Sequence, residues 1–119
     1  MNKIACLVFI LLFPVWGYAS DLIHPLDFNG TESEKSKVIA QIKANVKRTY
    51  TEIGMGDPLT LRMMEKEELA SFKNLTKVKD RRLLDSVIRQ YCDIGMCNYN
   101  TILMMYNEQS RASKEELSW

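Results

Sequence analysis

Residues 31–64 read TESEKSKVIAQIKANVKRTYTEIGMGDPLTLRMM, which contains the start and the end of one helix and the start of the next. Thr31 with Glu34 three residues later is the pattern of a capping box, and it predicts that a helix begins there. Apolar residues then recur every three or four positions, as on one face of an amphipathic helix: Ile39, Ile42, Val46, Tyr50 and Ile53. Gly54 is placed to end this helix, because glycine readily adopts the left-handed conformation found after helix C-termini.

A second helix is predicted after a short turn. Asp57 followed by Pro58 is a start signal, with a capping side chain before a proline at the first helical position. We expect this helix to run through the apolar residues that recur here: Leu59, Leu61, Met63, Met64, Leu69 and Phe72. Its carboxylates Glu65, Glu67 and Glu68 are expected on a solvated face. They do not predict a metal or acid–base site, because neighbouring helix positions point about 100° apart.

Two further helices are predicted in the second half of the chain. Asp80 can cap a third helix and Asn98 a fourth. Their apolar faces are Leu84, Val87, Ile88 and Tyr91 in the third helix, and Tyr99, Ile102, Leu103 and Tyr106 in the fourth. Between them, Gly95 provides the backbone freedom that a tight reversal needs. No stretch of the sequence shows the strict alternation of a half-buried strand.

The first twenty residues have the pattern of a cleavable secretory signal peptide. A basic start at Lys3 precedes an apolar run over residues 4–13, and small residues follow. The predicted cut lies between Ala19 and Ser20, because small Gly17 then stands third before the bond. A retained membrane anchor is disfavoured, since a spanning helix needs about 20 apolar residues. We therefore expect an exported chain without membrane insertion after cleavage, periplasmic in a bacterium and otherwise secreted.

The cysteine count becomes informative once the signal peptide is removed. Cys6 leaves with the signal peptide, and Cys92 and Cys97 remain. Two thiols close in the sequence of an exported chain predict one disulfide. Four residues separate them, whereas redox-active pairs of the thioredoxin type have two between them, so a structural bond is favoured.

The charge of the chain is nearly balanced. The formal charge of the whole chain is +1, and loss of Lys3 with the signal peptide leaves +1 − 1 = 0. A neutral chain gives no reason to expect nucleic acid or an anionic membrane as a partner. The densest basic group lacks interleaved aromatic residues and is interpreted as a solvated helix start: Lys77, Lys79, Arg81 and Arg82.

Together these patterns predict an all-α fold. We expect a small single-domain bundle of about four helices, with an extended N-terminal arm and one short disulfide loop between the last two helices. The expected divisions are a signal peptide over residues 1–19, an arm over 20–30 and a helical domain over 31–119. Pro25 forbids a continuous helix in the arm.

No catalytic constellation, cofactor motif or metal site is recognisable in the sequence. The one histidine, His24, stands far in sequence from the cysteines, so we expect a surface or packing role for it and no zinc site. No nucleophile–base pair or carboxylate pair is evident, so we expect no enzyme and no cofactor. Asn29 and Asn74 each begin an N-glycosylation pattern, which applies only if the source is a eukaryote.

Two methionine doublets, Met63-Met64 and Met104-Met105, are the candidate partner contacts. Methionine at helical spacing is most often core filler. Adjacent residues point about 100° apart, however, so the two members of a doublet cannot both face one core. Flexible thioether side chains at a surface suit adaptable binding to a protein partner.

These observations favour a non-catalytic exported protein that acts through protein–protein interaction. An accessory of an envelope, secretion or conjugation system is one such protein. The alternative is an immunity protein or inhibitor that neutralises an exported toxin or hydrolase. The partner's identity and the oligomeric state are left open by the sequence.

Overall fold

A computed structural model describes residues 22–119, so the predicted signal peptide and its cleavage site, Ala19 and Ser20, lie outside the described residues. Within that range the chain forms four α-helices, α1 (Glu32–Glu52), α2 (Pro58–Leu75), α3 (Arg81–Asp93) and α4 (Tyr99–Ala112), preceded by one turn of 3₁₀ helix at Pro25–Asp27. The described residues contain no strand. The predicted all-α fold is therefore confirmed.

Each helix begins where the sequence predicts a capping side chain. The caps accept hydrogen bonds from backbone N–H groups three residues ahead, and they are Thr31, Asp57, Asp80 and Asn98. One detail differs from an ideal capping box: the Glu34 carboxylate accepts from the backbone N–H of Asn29 at 3.3 Å. The backbone N–H of Thr31 instead donates to the Asn29 side chain at 3.0 Å. Gly54 ends α1 with φ +77°, as expected.

Helix α2 is the centre of the bundle. It packs against α1 on one side and α4 on the other, and α3 packs against α4. The buried apolar core draws on all four helices: Val38, Ile42, Val46, Phe72, Leu75, Leu84, Val87, Tyr99, Ile102 and Tyr106. Burial of such side chains stabilises the fold by about 1.5–3 kcal/mol each.

The N-terminal arm crosses this core from Leu22 onward. Its Phe28 ring packs edge-on against Phe72 at 5.1 Å, and Phe72 packs against Tyr99 at 4.9 Å. The Tyr99 hydroxyl donates to the backbone carbonyl of Ile23 at 2.9 Å. The arm is thus part of the packed structure and contacts all four helices through its side chains and backbone.

Four positions differ from the predicted apolar faces. Val38, not Ile39, belongs to the core, and Ile39 remains 43% exposed. The buried stripe of α1 follows positions 38, 42 and 46, which places Ile39 at its edge. Ile53, Leu59 and Met63 are also exposed. Ile53 follows the end of α1, and Leu59 and Met63 lie on the side of α2 that points away from Glu68 and the core.

The expectation that Glu68 lies on a solvated face is wrong. Its side chain is buried, with the residue only 8% exposed. Its carboxylate accepts hydrogen bonds from the backbone N–H groups of Tyr99, at 2.8 Å, and Asn100, at 2.9 Å. A carboxylate at a helix N-terminus accepts hydrogen bonds from the free N–H groups and interacts favourably with the positive end of the helix dipole. Glu68 therefore joins the middle of α2 to the start of α4.

The predicted disulfide is present. Cys92 and Cys97 are bonded, with their Cα atoms 4.1 Å apart, and the bond lies between α3 and α4. Gly95 takes φ +80° within the turn, as a tight reversal requires. Among the described helices, none combines the length and the apolar character needed to cross a membrane.

Candidate interaction surface

Large apolar side chains are exposed where α1 meets α2. We name this region the α1–α2 tip and define it by four residues, Ile53, Met55, Leu59 and Met63. Leu59 is 77% exposed and Met63 56% exposed. These two stand four positions apart on α2 and therefore share one side of the helix. Exposed apolar residues that cluster in this way are typical of protein-binding surfaces.

The backbone of the tip is held by local hydrogen bonds. Gly54 N–H donates to the carbonyl of Thr51 at 3.1 Å, and Met55 N–H donates to that of Tyr50 at 2.8 Å. Asp57 accepts from the backbone N–H of Thr60 at 3.0 Å, and this bond lowers the pKa of the Asp57 carboxyl. Ile53 and Met55 are thus displayed on a hydrogen-bonded turn, and Leu59 and Met63 on the first two turns of α2.

Each methionine doublet is divided between surface and core. Met63 and Met104 are exposed, whereas Met64 and Met105 are half-buried and pack against the core. Met63 lies before Glu68 on α2, and Met104 lies beyond the α4 N-terminus that Glu68 caps. The two exposed methionines are therefore at different levels of the bundle, and only Met63 belongs to the tip.

The turn that the disulfide closes, residues 92–97, lies beside the second half of α1, and we name it the disulfide turn. Asn45 Nδ2 donates to the carbonyl of Cys97 at 3.4 Å. Gly95 and Cys97 line the same cleft as Glu52, a space of about 810 Å³ that also borders the arm. Two more exposed apolar side chains stand on this turn, Ile94 and Met96.

A second apolar feature lies between α1 and α2, and we name it the α1–α2 groove. Its floor consists of Ile39, Ile42 and Leu69, and its volume is about 200 Å³. Four charged side chains form its rim: Lys43, Arg62, Glu65 and Lys66. Arg62 pairs with Glu65 at 2.7 Å. Neither lysine takes part in an ion pair with any residue in the range 22–119.

Both ring nitrogens of His24 form hydrogen bonds that hold the arm in place. Its Nε2 lies 2.6 Å from Asp85 Oδ1, and its Nδ1 accepts the backbone N–H of Leu26 at 3.1 Å. Since Nδ1 is an acceptor, the ring proton lies on Nε2 and is donated to Asp85. Neither ring nitrogen is left to bind a metal or remove a proton from a substrate. The packing role predicted for His24 agrees with these contacts.

A second contact joins the arm to α3. Arg81 donates to both carboxylate oxygens of Asp27, at 2.8 and 3.1 Å. This hydrogen-bonded pair lowers the pKa of Asp27 and raises the pKa of Arg81. Across residues 22–119, no three His, Cys, Asp or Glu side chains meet in a way that could hold a metal ion. The basic group at the start of α3 thus serves partly to bind the arm.

Glu68 is the buried charged residue that sequence reasoning missed. Burial raises the pKa of its carboxyl, while the hydrogen bonds from Asn100 and Tyr99 act in the opposite direction. A signal was present in the sequence, because Glu68 stands four positions after Met64 and four before Phe72, on the same side of α2. Its bonds are all to backbone of this chain, which assigns it a structural role.

Comparisons of this chain with protein-family models, with curated proteins and with solved structures find no match. A function is therefore inferred from its own side chains. The exposed apolar residues of the α1–α2 tip and the partly basic α1–α2 groove are among the features that the packing of the bundle does not use.

Proposed function

We propose that this protein is exported, is not an enzyme and acts by binding another protein through the α1–α2 tip. The observation that carries the proposal is the exposure of four large apolar side chains at the end of α1, on the turn that follows it and on the start of α2. Apolar anchors displayed on a preformed backbone lose little conformational entropy on binding. Exposed methionine adds adaptability, because its flexible side chain can fit an irregular partner surface.

The proposed export is supported by two features of the chain. The first is the signal pattern over residues 1–19, with its small residues before Ser20. The second is the bond between Cys92 and Cys97, since disulfides persist mainly in oxidising compartments outside the cytoplasm. In such a compartment the tip faces other exported or envelope proteins.

Site-specific photo-crosslinking tests the binding role. A benzophenone amino acid is placed at position 59 or 63, and a control carries it at Gln90, an exposed polar position on α3. We expect a discrete crosslinked product from positions 59 and 63 and none from position 90. Mass spectrometry of the product separates the two classes of partner, because an envelope component indicates an accessory protein and a toxin or hydrolase indicates an immunity protein.

Substitution of two tip residues tests whether the crosslink depends on their side chains. Leu59→Ser with Met63→Gln should abolish the crosslink from a probe at Met55, while the free energy of unfolding changes within about 0.5 kcal/mol per site, as for exposed positions. Equal crosslinking from the tip and from Gln90, or a product unaffected by the double substitution, would rule out the tip as the binding surface.

A further inference from the structure

The α1–α2 groove combines an apolar floor with an excess of positive charge. Its rim carries three basic side chains and one carboxylate, and that carboxylate is already paired with Arg62. Lys43 and Lys66 thus border the apolar floor with no partner among the described residues. A ligand that fits this groove presents an apolar side chain next to a carboxylate.

The basic border continues beyond the groove. Lys47 stands one turn after Lys43 on α1, and Lys73 stands about two turns after Lys66 on α2. The outward stripe of α2 comprises Leu59, Arg62, Met63, Lys66, Glu67, Ala70 and Lys73, so its basic residues outnumber its carboxylates. Glu67 accepts a hydrogen bond from Asn100 of α4 at 3.2 Å. The charge of the stripe therefore favours an acidic segment of several residues rather than a single anion.

The chain itself contains a segment of this chemistry after α4. Residues 113–119 read SKEELSW, with two carboxylates, one lysine and two large apolar side chains. Leu117 and Trp119 are fully exposed. Glu115 pairs with Arg111, and Glu116 is exposed. Tryptophan is among the residues most enriched in the energetic centres of interfaces, so an uncovered one beside acidic residues is a ready anchor.

The direction of α4 places this tail away from its own groove. Asn100, at the start of α4, is bonded to Glu68 at 2.9 Å, whereas the Tyr106 hydroxyl reaches the backbone of Asp80, after the end of α2, at 3.3 Å. Glu68 and Ser71 face α4, while Arg62 and Lys66 stand on the other side of α2. The tail would have to fold back along α4 and around α2 to reach the groove of its own molecule.

We infer that the α1–α2 groove binds the 113–119 tail of a second copy of this chain. Leu117 or Trp119 packs on the Ile39–Leu69 floor, and Glu116 pairs with Lys43 or Lys66. The contact joins two different surfaces, so in a pair one molecule keeps a free groove and the other a free tail, and further copies can add unless a ring closes. The contact does not rest on the function proposed for the tip, and its basic residues Lys43 and Lys66 are not tip residues.

A labelled peptide of residues 113–119 tests the recognition directly. We expect it to bind the mature protein and to bind K43E/K66E at least about tenfold more weakly, because two attractive charges become repulsive. The matched control is K77E/K79E, which makes the same charge change on exposed lysines beyond the end of α2. A peptide carrying E115Q/E116Q should bind weakly to all three proteins, and added salt should weaken the wild-type contact.

A mixing experiment tests the role of the second copy. A variant ending at Ala112 keeps the groove and lacks the tail, and K43E/K66E keeps the tail and lacks the basic rim. By analytical ultracentrifugation, we expect each to be monomeric alone and the mixture to form one-to-one dimers. Circular dichroism of each variant checks that it is folded.

Four results would overturn the inference. The first is a wild-type protein that stays monomeric up to about 1 mM, a concentration at which weak contacts also form. The second is self-association of either variant alone, and the third is a mixture of the two variants that stays monomeric. The fourth is peptide binding that does not change when Lys43 and Lys66 are substituted. A tail that occupies its own groove gives the first of these results.

Discussion

The two residues of the first methionine doublet differ in burial. Met63 is exposed and Met64 packs against the core. Met64→Gln should therefore lower the free energy of unfolding by about 2 kcal/mol, because it places an amide in a partly apolar site. Met63→Gln should change the free energy by about 0.5 kcal/mol or less. Urea denaturation of both variants measures the difference, and equal losses would contradict the division of the doublet.

Glu68 makes stability depend on pH in a direction that can be measured. Burial raises its pKa above the ordinary value of 4.5, so the folded protein holds this proton more tightly than the unfolded chain does. The stabilisation that this provides is complete below 4.5 and is lost as the pH rises through the folded pKa. We therefore expect the wild type to gain stability relative to Glu68→Gln when the pH falls from about 7 to about 4.5.

Urea unfolding of the wild type and the Glu68→Gln variant at both pH values tests this expectation. The Gln variant is the reference because its side chain does not titrate, so other carboxyl groups cancel in the difference. A wild type that loses stability relative to the variant on acidification would show that the two backbone hydrogen bonds outweigh burial.

The exposure of single residues was only partly predictable from the sequence. The angle between adjacent helix positions indicated that one methionine of each doublet faces outward, but it could not say which. That choice depends on where α1 and α4 contact α2. Similarly, Ile39 and Val38 are both apolar and adjacent, and the position of α2 decides that Val38 is buried.

Among the elements, the helix boundaries were the most predictable. Caps act within three residues, so Thr31, Asp57, Asp80 and Asn98 identify the helix starts from local sequence alone. The arm was harder to predict, because its contacts join positions as distant as Ile23 and Tyr99. The one turn of 3₁₀ helix at Pro25–Asp27, capped by His24, also lay outside the expected extended path.

The attachment of the arm depends on the hydroxyl of Tyr99. This hydroxyl bonds the carbonyl of Ile23 at 2.9 Å and Gln41 Oε1 at 3.2 Å. Tyr99→Phe keeps the ring in the core and removes these bonds, so we expect a loss of about 1 kcal/mol in the free energy of unfolding. Limited proteolysis should cut the arm of this variant faster, and the arm of a Tyr91→Phe control at the wild-type rate. Unchanged stability and cleavage would show that aromatic packing alone holds the arm.

The disulfide turn is expected to stabilise the bundle without determining its fold. The bond between Cys92 and Cys97 closes a very short loop, for which the chain-entropy model gives about 2 kcal/mol. The double variant Cys92→Ala with Cys97→Ala should therefore melt at a lower temperature and retain its helical circular dichroism. The Asn98 cap and the Glu68 bonds still define the start of α4 in that variant. Loss of helical structure at room temperature would contradict this view.

The surface of the whole molecule depends on which sides of α2 the other helices cover. Glu68 faces α4, whereas Leu59 and Met63 lie about 140–180° further around α2 and remain exposed. The periodicity of α2 does not mark this outward side, since apolar residues recur around the helix. The tip and the groove therefore could not be located from the sequence, although the residue types that form them were visible.

If the protein is exported with cleavage of the predicted signal peptide, the mature chain should begin at Ser20. Cleavage after Ala19 leaves two residues before Leu22, where the described arm begins. The next residue, Ile23, already donates to Gln41 at 3.2 Å, so the cut precedes the contacts that dock the arm. Intact-mass analysis of exported protein should give the mass of residues 20–119 with the bond between Cys92 and Cys97 formed. Ala19→Arg should block processing, because the cleavage site requires a small residue. An exported protein that still contains residues 1–19, or free thiols at both cysteines, would contradict this prediction.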